Sequence, residues 1–345
     1  MENITITDIA RMCGVSATTV SRAINNNPGI SRSTKEKIQE IIKEYNYVPN
    51  NSARNLKRIE SDSIAVLAKG ISNPYISEMI RIGGKEAEKR KYSFFFQRVD
   101  DDENELDVAI ELMKEKRLKG IIFFGGLFEY DAHKLEQLGV PVVCCTIGAK
   151  SSDGKERCSS VYVDDIVESY NLIDYLCGLG HKKIAMITSP DDDESIGKLR
   201  YMGYLKALEK HQIPVDFDLI AKLKPNLDGY SIKNGYMVTK ELLSSGKEFS
   251  ALFVPSDYMA IGACKAIFDE GKRVPEDYSV VGYDGLEVAE YYNPSITTIR
   301  QPIKKMAEMS LEILFQEIEK GTAPKRIVFD GQLLIGQSTA KYQKN

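Results

Sequence analysis

Residues 5–58 read TITDIARMCGVSATTVSRAINNNPGISRSTKEKIQEIIKEYNYVPNNSARNLKR. Thr5 is placed to cap a helix whose third position is Asp8 and whose apolar face is Ile6, Ile9, Ala10 and Cys13. Gly14 ends that helix, because a residue without Cβ enters the left-handed region at little cost. Val15 serves as a small apolar turn residue, and Ser16 can cap a second helix over 17–25 that buries Val20, Ala23 and Ile24. Asn25-Asn26-Asn27-Pro28-Gly29 breaks the pattern. Ser31 then caps a third helix, about 32–45, with Ile38, Ile41, Ile42 and Tyr45 at i, i+3, i+4 and i+7. Helix, glycine turn, helix, loop and third helix describe a small all-α helix-turn-helix head.

The second helix is the readable one. With Val20 and Ile24 turned inward, Ala17, Thr18, Ser21 and Arg22 remain outside. Short side chains at its start let a helix approach base edges. Thr18 suits a thymine methyl or a base hydrogen bond, and Arg22 can fork onto guanine O6 and N7. Ser16, Thr19 and Ser21, with the amides at the helix start, suit phosphate oxygens. The same face also fits a small three-helix protein-interaction domain with a solvated polar side.

The charge distribution separates this head from the rest of the chain. The chain has 345 residues, enough for about two or three domains. Its net charge of −4 seems to argue against nucleic acid. Residues 1–58, however, hold nine Lys/Arg against five Asp/Glu, a balance of +4 that leaves −8 on the remainder. A basic module is attached to an acidic body. Hydrophobic residues at 43% and charged residues at 28% describe a packed chain rather than a disordered one. No apolar run approaches the length of a membrane span, and MENITITDIARMCG has no basic flank leading into a signal core. The six cysteines form no CxxC pair and read as reduced, mostly buried thiols. His133, His181 and His211 are scattered, so no metal or cofactor is expected. No Walker loop, nucleophile elbow or zinc-protease helix is present, so an enzyme is not expected.

Several separately spaced motifs share one register: Gly14-Val15-Ser16, Thr19-Val20-Ser21-Arg22, and Tyr47-Val48-Pro49-Asn50 followed by Ala53-Arg54-Asn55-Leu56. In these residues the head resembles, without a gap, the DNA-binding head of the lactose repressor (LacI/GalR) family. The resemblance implies a helix-turn-helix domain over 1–48 and a hinge helix over 49–60. It also implies DNA contacts from Thr5, Ser16, Ala17, Thr18, Thr19, Ser21, Arg22, Asn25, Ser31, Tyr47, Asn50, Ala53, Arg54 and Leu56. In that family the hinge folds on operator DNA and a leucine, here Leu56, wedges into the minor groove. The physics agrees: Asn50 or Asn51 can cap a helix, but about eight residues cannot hold helix alone in water. An apolar wedge unstacks a base step and kinks the duplex. An ordinary flexible linker is the alternative.

From Ser63 onward, short apolar runs alternate with amphipathic stretches. Strands are expected at 64–68, 93–97, 120–124, 142–146, 160–163, 183–187, 251–254 and 279–283, with helices between them at 75–90, 103–116, 165–179, 197–211, 230–245 and 257–270. The alternation means parallel α/β sheets, in two lobes or in a (β/α)₈ barrel. The pattern alone leaves both open. Ile71-Ser72-Asn73-Pro74-Tyr75, residues 161–164, Gly180-His181-Lys182-Lys183, Arg200 with Gly203-Tyr204, Ser256-Asp257-Tyr258-Met259-Ala260, Val280-Val281-Gly282-Tyr283-Asp284 and residues 294–301 are similar to that family's regulatory core. The resemblance implies a periplasmic-binding-protein-like core over 61–345. Its N-lobe would be about 61–163 and 294–323, and its C-lobe about 164–293 and 324–340, with a ligand between them.

Ligands of such sheets bind outside the carboxyl ends of the strands. That rule delivers 71–75, 124–126, Thr146, Ser189, Ser256 and Asp284 to the cleft. The candidate effector contacts are Tyr75, Phe124, Thr146, Arg200, Ser256 and Asp284. A polyol needs donors and acceptors side by side, which a guanidinium and a carboxylate provide. Tyr75 and Phe124 offer a face for a sugar ring, since the chain has no Trp. Each has a plainer reading: Arg200 paired with the 191–194 acidic run, Asp284 capping a turn, Tyr75 and Phe124 in the core. Ser256 stands where many family members carry Asn, and Gly285 where a second Asp is frequent. The acidic runs 100–103 and 191–194 read as charge matched to helix dipoles.

The expectation is a cytoplasmic, nucleoid-associated repressor that binds near-palindromic double-stranded operator DNA as a homodimer. A small ligand, a carbohydrate in the first instance, controls it, and no membrane is involved. By the resemblance, the helix over about 75–90 contributes to the dimer through Ile76, Met79, Ile80 and Gly83. No heptad segment follows the last strand, so a tetramer through a C-terminal coiled coil is not expected. The alternatives are control by a protein co-repressor or a non-sugar metabolite, and a stand-alone solute-binding protein.

Overall fold

The computed structural model describes residues 4–24, 29–45, 47, 62–100, 102–189 and 196–343. The chain divides into two compact units, Met1–Ser61 and Asp62–Asn345.

In the first unit, α1 (Ile6–Cys13) starts at a capping box. The Thr5 hydroxyl accepts from Asp8 N–H, and the Asp8 carboxylate accepts from Thr5 N–H at 3.0 Å. Gly14 closes the helix at φ 72°. Helix α2 (Ala17–Ile24) begins where the Ser16 hydroxyl accepts from Thr19 N–H at 3.1 Å. Ser31 caps α3 (Arg32–Glu44) by accepting from Thr34 N–H. Ile9, Ala10, Cys13, Val20, Ala23 and Ile38 form the core, with Tyr47 packed against it. The expected core residue Tyr45 is instead 48% exposed: it is the C-cap of α3, where the chain has left the helical path that carries Ile38, Ile41 and Ile42 inward.

The second unit holds two separate parallel sheets, which excludes a closed barrel. The first is built from β1 (Ser63–Ala68), β2 (Ser93–Arg98), β3 (Gly120–Phe124), β5 (Val142–Cys145), β7 (Ser159–Val163) and β13 (Arg326–Phe329). Their order across the sheet is β2-β1-β3-β5-β7-β13. The second is built from β8 (Ile184–Thr188), β9 (Ile220–Lys222), β10 (Ala251–Phe253) and β11 (Ser279–Val281), in the order β9-β8-β10-β11. Among the described residues, short pairs β4 (Glu129–Tyr130) with β6 (Lys150–Ser151), and β12 (Thr298–Arg300) with β14 (Gln332–Leu334), complete the strands.

Period-two alternation sorts the apolar runs onto both faces of each sheet. Ile64, Val66, Ile122 and Cys145 face a core shared with α4 (Pro74–Lys89) and α12 (Ile303–Lys320). Ala65, Leu67, Ile121 and Cys144 face α5 (Glu105–Glu115) and α6 (Ala132–Leu138). The second sheet lies between α7 (Asp165–Gly178) with α8 (Ile196–Lys210) and α9 (Ile232–Ser244) with α10 (Asp257–Asp269). A short α11 (Glu287–Tyr291) comes after β11.

The lobes exchange chain at places the sequence reading put elsewhere. Residues 294–300 stay with the second sheet: Thr297 bridges Val281, Arg300 bridges Asp284, and Ile299 is buried beside Val281. The return to the first sheet comes after Gln301, where α12 packs on it. Arg326–Phe329 then pairs in parallel with β7, so 324–329 belongs to the N-lobe rather than the C-lobe. Strand pairing decided this, and no local pattern encodes it. Of the expected dimer residues on α4, Ile76, Met79 and Gly83 are buried in the core against α12, and only Ile80 is half-buried.

Candidate functional site

In each parallel sheet the strand order reverses once, in the first between β1 and β3 and in the second between β8 and β10. A crevice opens at the carboxyl ends of strands beside such a point. There the second unit has a cavity of about 630 Å³. Its walls come from the segments after β1 (Lys69, Gly70), β3 (125–127), β5 (Thr146), β8 (Ser189) and β9 (223–225), joined by Asn73, Arg200, Asp284 and Gln301.

Arg200 and Asp284 meet in this wall, both 2% exposed. Arg200 Nε donates to Asp165 Oδ1 at 2.8 Å, and Nη1 donates to the Pro255 carbonyl. Its guanidinium carbon lies 3.7 Å from the centre of the Tyr283 ring, and Nη2 stands 3.8 Å from Asp284 Oδ1. Burial works against the Arg200 charge, but Asp165, Tyr283 and Asp284 around it hold its pKa above the ordinary arginine value. Asp284 accepts from Asn73 Nδ2 at 2.8 Å and from Gln301 Nε2 at 2.9 Å. Burial raises its pKa to about 6 against the pull of Arg200 and these two amides. Burial likewise raises Asp165 and Asp257.

Thr146 and Asp284 share a backbone feature. Both have positive φ, 84° and 105°, which costs a residue with a Cβ energy that the surrounding structure must supply. The Thr146 hydroxyl accepts from Gly125 N–H at 3.1 Å, and Asp284 N–H donates to Ile299 O at 2.9 Å. Tyr75 lines the cavity with its hydroxyl held by Gln301 Oε1 at 2.9 Å. On the opposite wall Lys69 Nζ lies 3.3 Å from the buried Glu105 carboxylate, which also accepts from Tyr130 OH and Leu127 N–H.

Of the six expected cleft residues, Tyr75, Thr146, Arg200 and Asp284 are brought together. Phe124 is not: as the last residue of β3 it points into the core among Ile64, Val66 and Val143. Ser256 is fully buried as the N-cap of α10, its hydroxyl accepting from Met259 N–H. Strand alternation turns one side chain of each strand end away from the crevice, and helix capping claims the other. Arg200 pairs with Asp165; the 191–194 run lies outside the described residues. Sequence reading missed Asp165, Lys69, Lys224 and Tyr230. Asp165 comes directly after the 161–164 motif, and its position at the start of α7 was the available signal.

In the head, Thr18 and Arg22 are exposed on α2, Ala17 and Ser21 are half-buried, and Ala17 also packs on the core. The Arg22 guanidinium reaches the Gly29 backbone, where an added Cβ would lie 3.1 Å from it. The Ser16 hydroxyl contacts that of Thr19 at 2.9 Å. Ser31 is engaged as the cap of α3, and Thr5 as the cap of α1. Asn25, Asn50, Ala53, Arg54 and Leu56 lie outside the described residues. Among the described residues no group of three or more His, Cys, Asp or Glu is placed to hold a metal, and no helix is long and apolar enough to cross a membrane.

Residues 5–50 match the family described as "Bacterial regulatory proteins, lacI family", and residues 173–339 match a "Periplasmic binding protein-like domain". The chain is 40% identical over 339 residues to the HTH-type transcriptional regulator MalR of Clostridium butyricum, covering 95% of this chain and 97% of that one. The chain belongs to the lacI family of bacterial regulatory proteins. Among solved structures this LacI-family chain is similar to a lac repressor dimer bound to operator and the anti-inducer ONPF, with TM-score 0.70, 26% identity and coverage of 98% and 100% of the two chains. It is also similar to a transcriptional regulator CelR–cellobiose complex, with TM-score 0.68, 26% identity and coverage of 97% and 99%. The LacI-family regulator is therefore a DNA-binding transcription factor rather than an enzyme, working in the cytoplasm where the bacterial chromosome lies.

Proposed function

We propose that this regulator is a homodimeric repressor whose hold on a near-palindromic operator is set by a polyhydroxylated ligand, a sugar or sugar derivative, bound in the cleft. One observation carries the reading: a buried guanidinium and a buried carboxylate 3.8 Å apart in the wall of a 630 Å³ cavity. Arg200 Nη2 supplies a donor, and each Asp284 oxygen keeps a lone pair beyond the amide it already accepts from. Neighbouring hydroxyls of a ring have the complementary pattern. The relative solved with cellobiose supports the ligand class.

On the DNA side, Thr18 and Arg22 would read bases. Ser16, Thr19 and Ser21 would meet phosphates, with Thr5, Ala17, Asn25, Ser31, Tyr47, Asn50, Ala53 and Arg54 along the backbone. Leu56 would wedge into the minor groove, so Leu56→Ala removes bending and leaves ligand binding intact. The +4 head would hold the protein to the nucleoid by counterion release while the −8 body stays off the DNA.

The test is selection of the operator from a random duplex pool, then calorimetric titration of cellobiose and ribose with and without that operator. Binding of either sugar that changes operator affinity, by a coupling of about 1–3 kcal/mol, is the expected result. A cleft that takes no sugar, with a protein partner required for operator binding, overturns the ligand half and leaves the DNA half standing.

A further inference from the structure

Cys144 and Cys158 stand sulfur to sulfur at 3.9 Å, with the Cys144 thiol donating to the Cys158 sulfur. Neither is part of the cleft, and both are free. They share one core on the α5–α6 side of the first sheet. Cys145, the next residue, faces the other side, its sulfur 4.0 Å from that of Met79. Strand alternation thus separates the adjacent pair and joins the distant one. We propose that Cys144 and Cys158 are a peroxide-reactive dithiol that closes to an intramolecular disulfide.

The two sulfurs are not equivalent. Cys144 is fully buried, whereas Cys158 is 7% exposed just before β7, so an oxidant little larger than water reaches Cys158 first. The hydrogen bond from Cys144 and the positive charge of Arg326 draw the Cys158 thiol below the ordinary thiol pKa, although burial opposes them. The same hydrogen bond and burial push Cys144 well above it. Arg326 is held in place by the Ala149 carbonyl at 2.9 Å and the Tyr162 hydroxyl at 3.2 Å. Cys158 is therefore the attacking sulfur and Cys144 the resolving one.

The Cys158 thiolate attacks one oxygen of hydrogen peroxide, the O–O bond breaks, and hydroxide leaves from a Cys158 sulfenic acid. Cys144 gives up its proton, and its sulfur attacks the Cys158 sulfur. Hydroxide is expelled and takes that proton as water. Two thiols and one peroxide become one disulfide and two waters, with two electrons passing from sulfur to oxygen. The sulfurs must close from 3.9 Å to about 2.05 Å. The loop this bond closes carries Thr146, so oxidation would tether one wall of the cleft.

The test treats the full chain with hydrogen peroxide, quenches it, alkylates it with a maleimide in denaturant and maps the peptides by mass spectrometry. The expected product is a single Cys144–Cys158 crosslink, with two of the six thiols protected from alkylation and recovered by dithiothreitol. In C144S, Cys158 stops at the sulfenic acid and is trapped by dimedone. In C158S neither crosslink nor adduct forms at Cys144. Full alkylation of Cys144 and Cys158 after peroxide has oxidised the half-exposed Cys177, or a crosslink that joins other cysteines, overturns the proposal.

Discussion

Asp284→Asn isolates the cost of keeping a carboxylate ionised inside the cleft wall. Burial lifts Asp284 from the ordinary aspartate value of 3.8 to about 6. Each unit between the folded and unfolded pKa is worth about 1.4 kcal/mol. The folded state therefore carries about 3 kcal/mol against the ionised group above pH 7. The unfolded chain binds fewer protons than the folded one between about pH 4 and 6, so this group makes the protein more stable as pH falls through that window. About half of the penalty remains at pH 5 and almost none at pH 3.5. Asparagine has no charge to desolvate and removes the whole dependence. It adds a constant loss of about 1 kcal/mol, because one of the Asn73 and Gln301 amides loses its acceptor. Asp165 and Asp257 titrate in both proteins; the Asp284 charge also raises Asp257, so its removal relieves that repulsion and shifts the difference in the same direction. Urea unfolding of wild type and variant, monitored at the core transition from pH 7.5 to 4.5, reads it directly. The variant is the more stable at pH 7.5, by about 2 kcal/mol, and the order reverses near pH 4.5. Stability curves that stay parallel across the range would refute the buried, ionised carboxylate.

Arg22→Ala should weaken operator binding by about 1–3 kcal/mol and relax preference at one base position, read by competition on selected and random duplexes; an equal loss on both makes Arg22 a phosphate contact only. Arg200→Ala leaves Asp165 and Asp284 buried without their cation and should cost the core about 3–5 kcal/mol in urea unfolding, and a loss near zero would refute the pairing. Gly14→Ala forces a Cβ into φ 72° and should destabilise the head by about 1–2 kcal/mol, seen as a lower melting point of the helical signal from a head fragment. An unchanged melt would show that the turn between α1 and α2 relaxes.

The head was legible because its information is local. Caps, glycine and apolar spacing lie within a few residues of one another, and Thr5, Gly14, Ser16 and Ser31 do in the structure what their side-chain chemistry suggests. Tyr45 shows the limit: its spacing fits the apolar face of α3, yet it falls on the cap, and Tyr47 takes the place against the core. The strands of the body were equally legible wherever parallel pairing buries both faces, as in 63–68 and 120–124. Strands of two or three residues, such as β4, β6 and β12, carry too little pattern to be read.

By itself the sequence determined a basic helix-turn-helix head, an acidic α/β body, and Arg200 and Asp284 as the pair to watch. These rest on short-range chemistry and on the motifs that carry it. Tertiary structure alone decided that Asp165 is the partner of Arg200, that Asn73 and Gln301 hold Asp284 from positions 211 and 17 residues away, and that Phe124 and Ser256 turn from the cleft. It also decided that β13 returns to the first sheet. The reason is the same in each case. Burial, strand neighbour and hydrogen-bond partner are properties of residues far apart in the chain, and they exist only once the two sheets have closed over their cores.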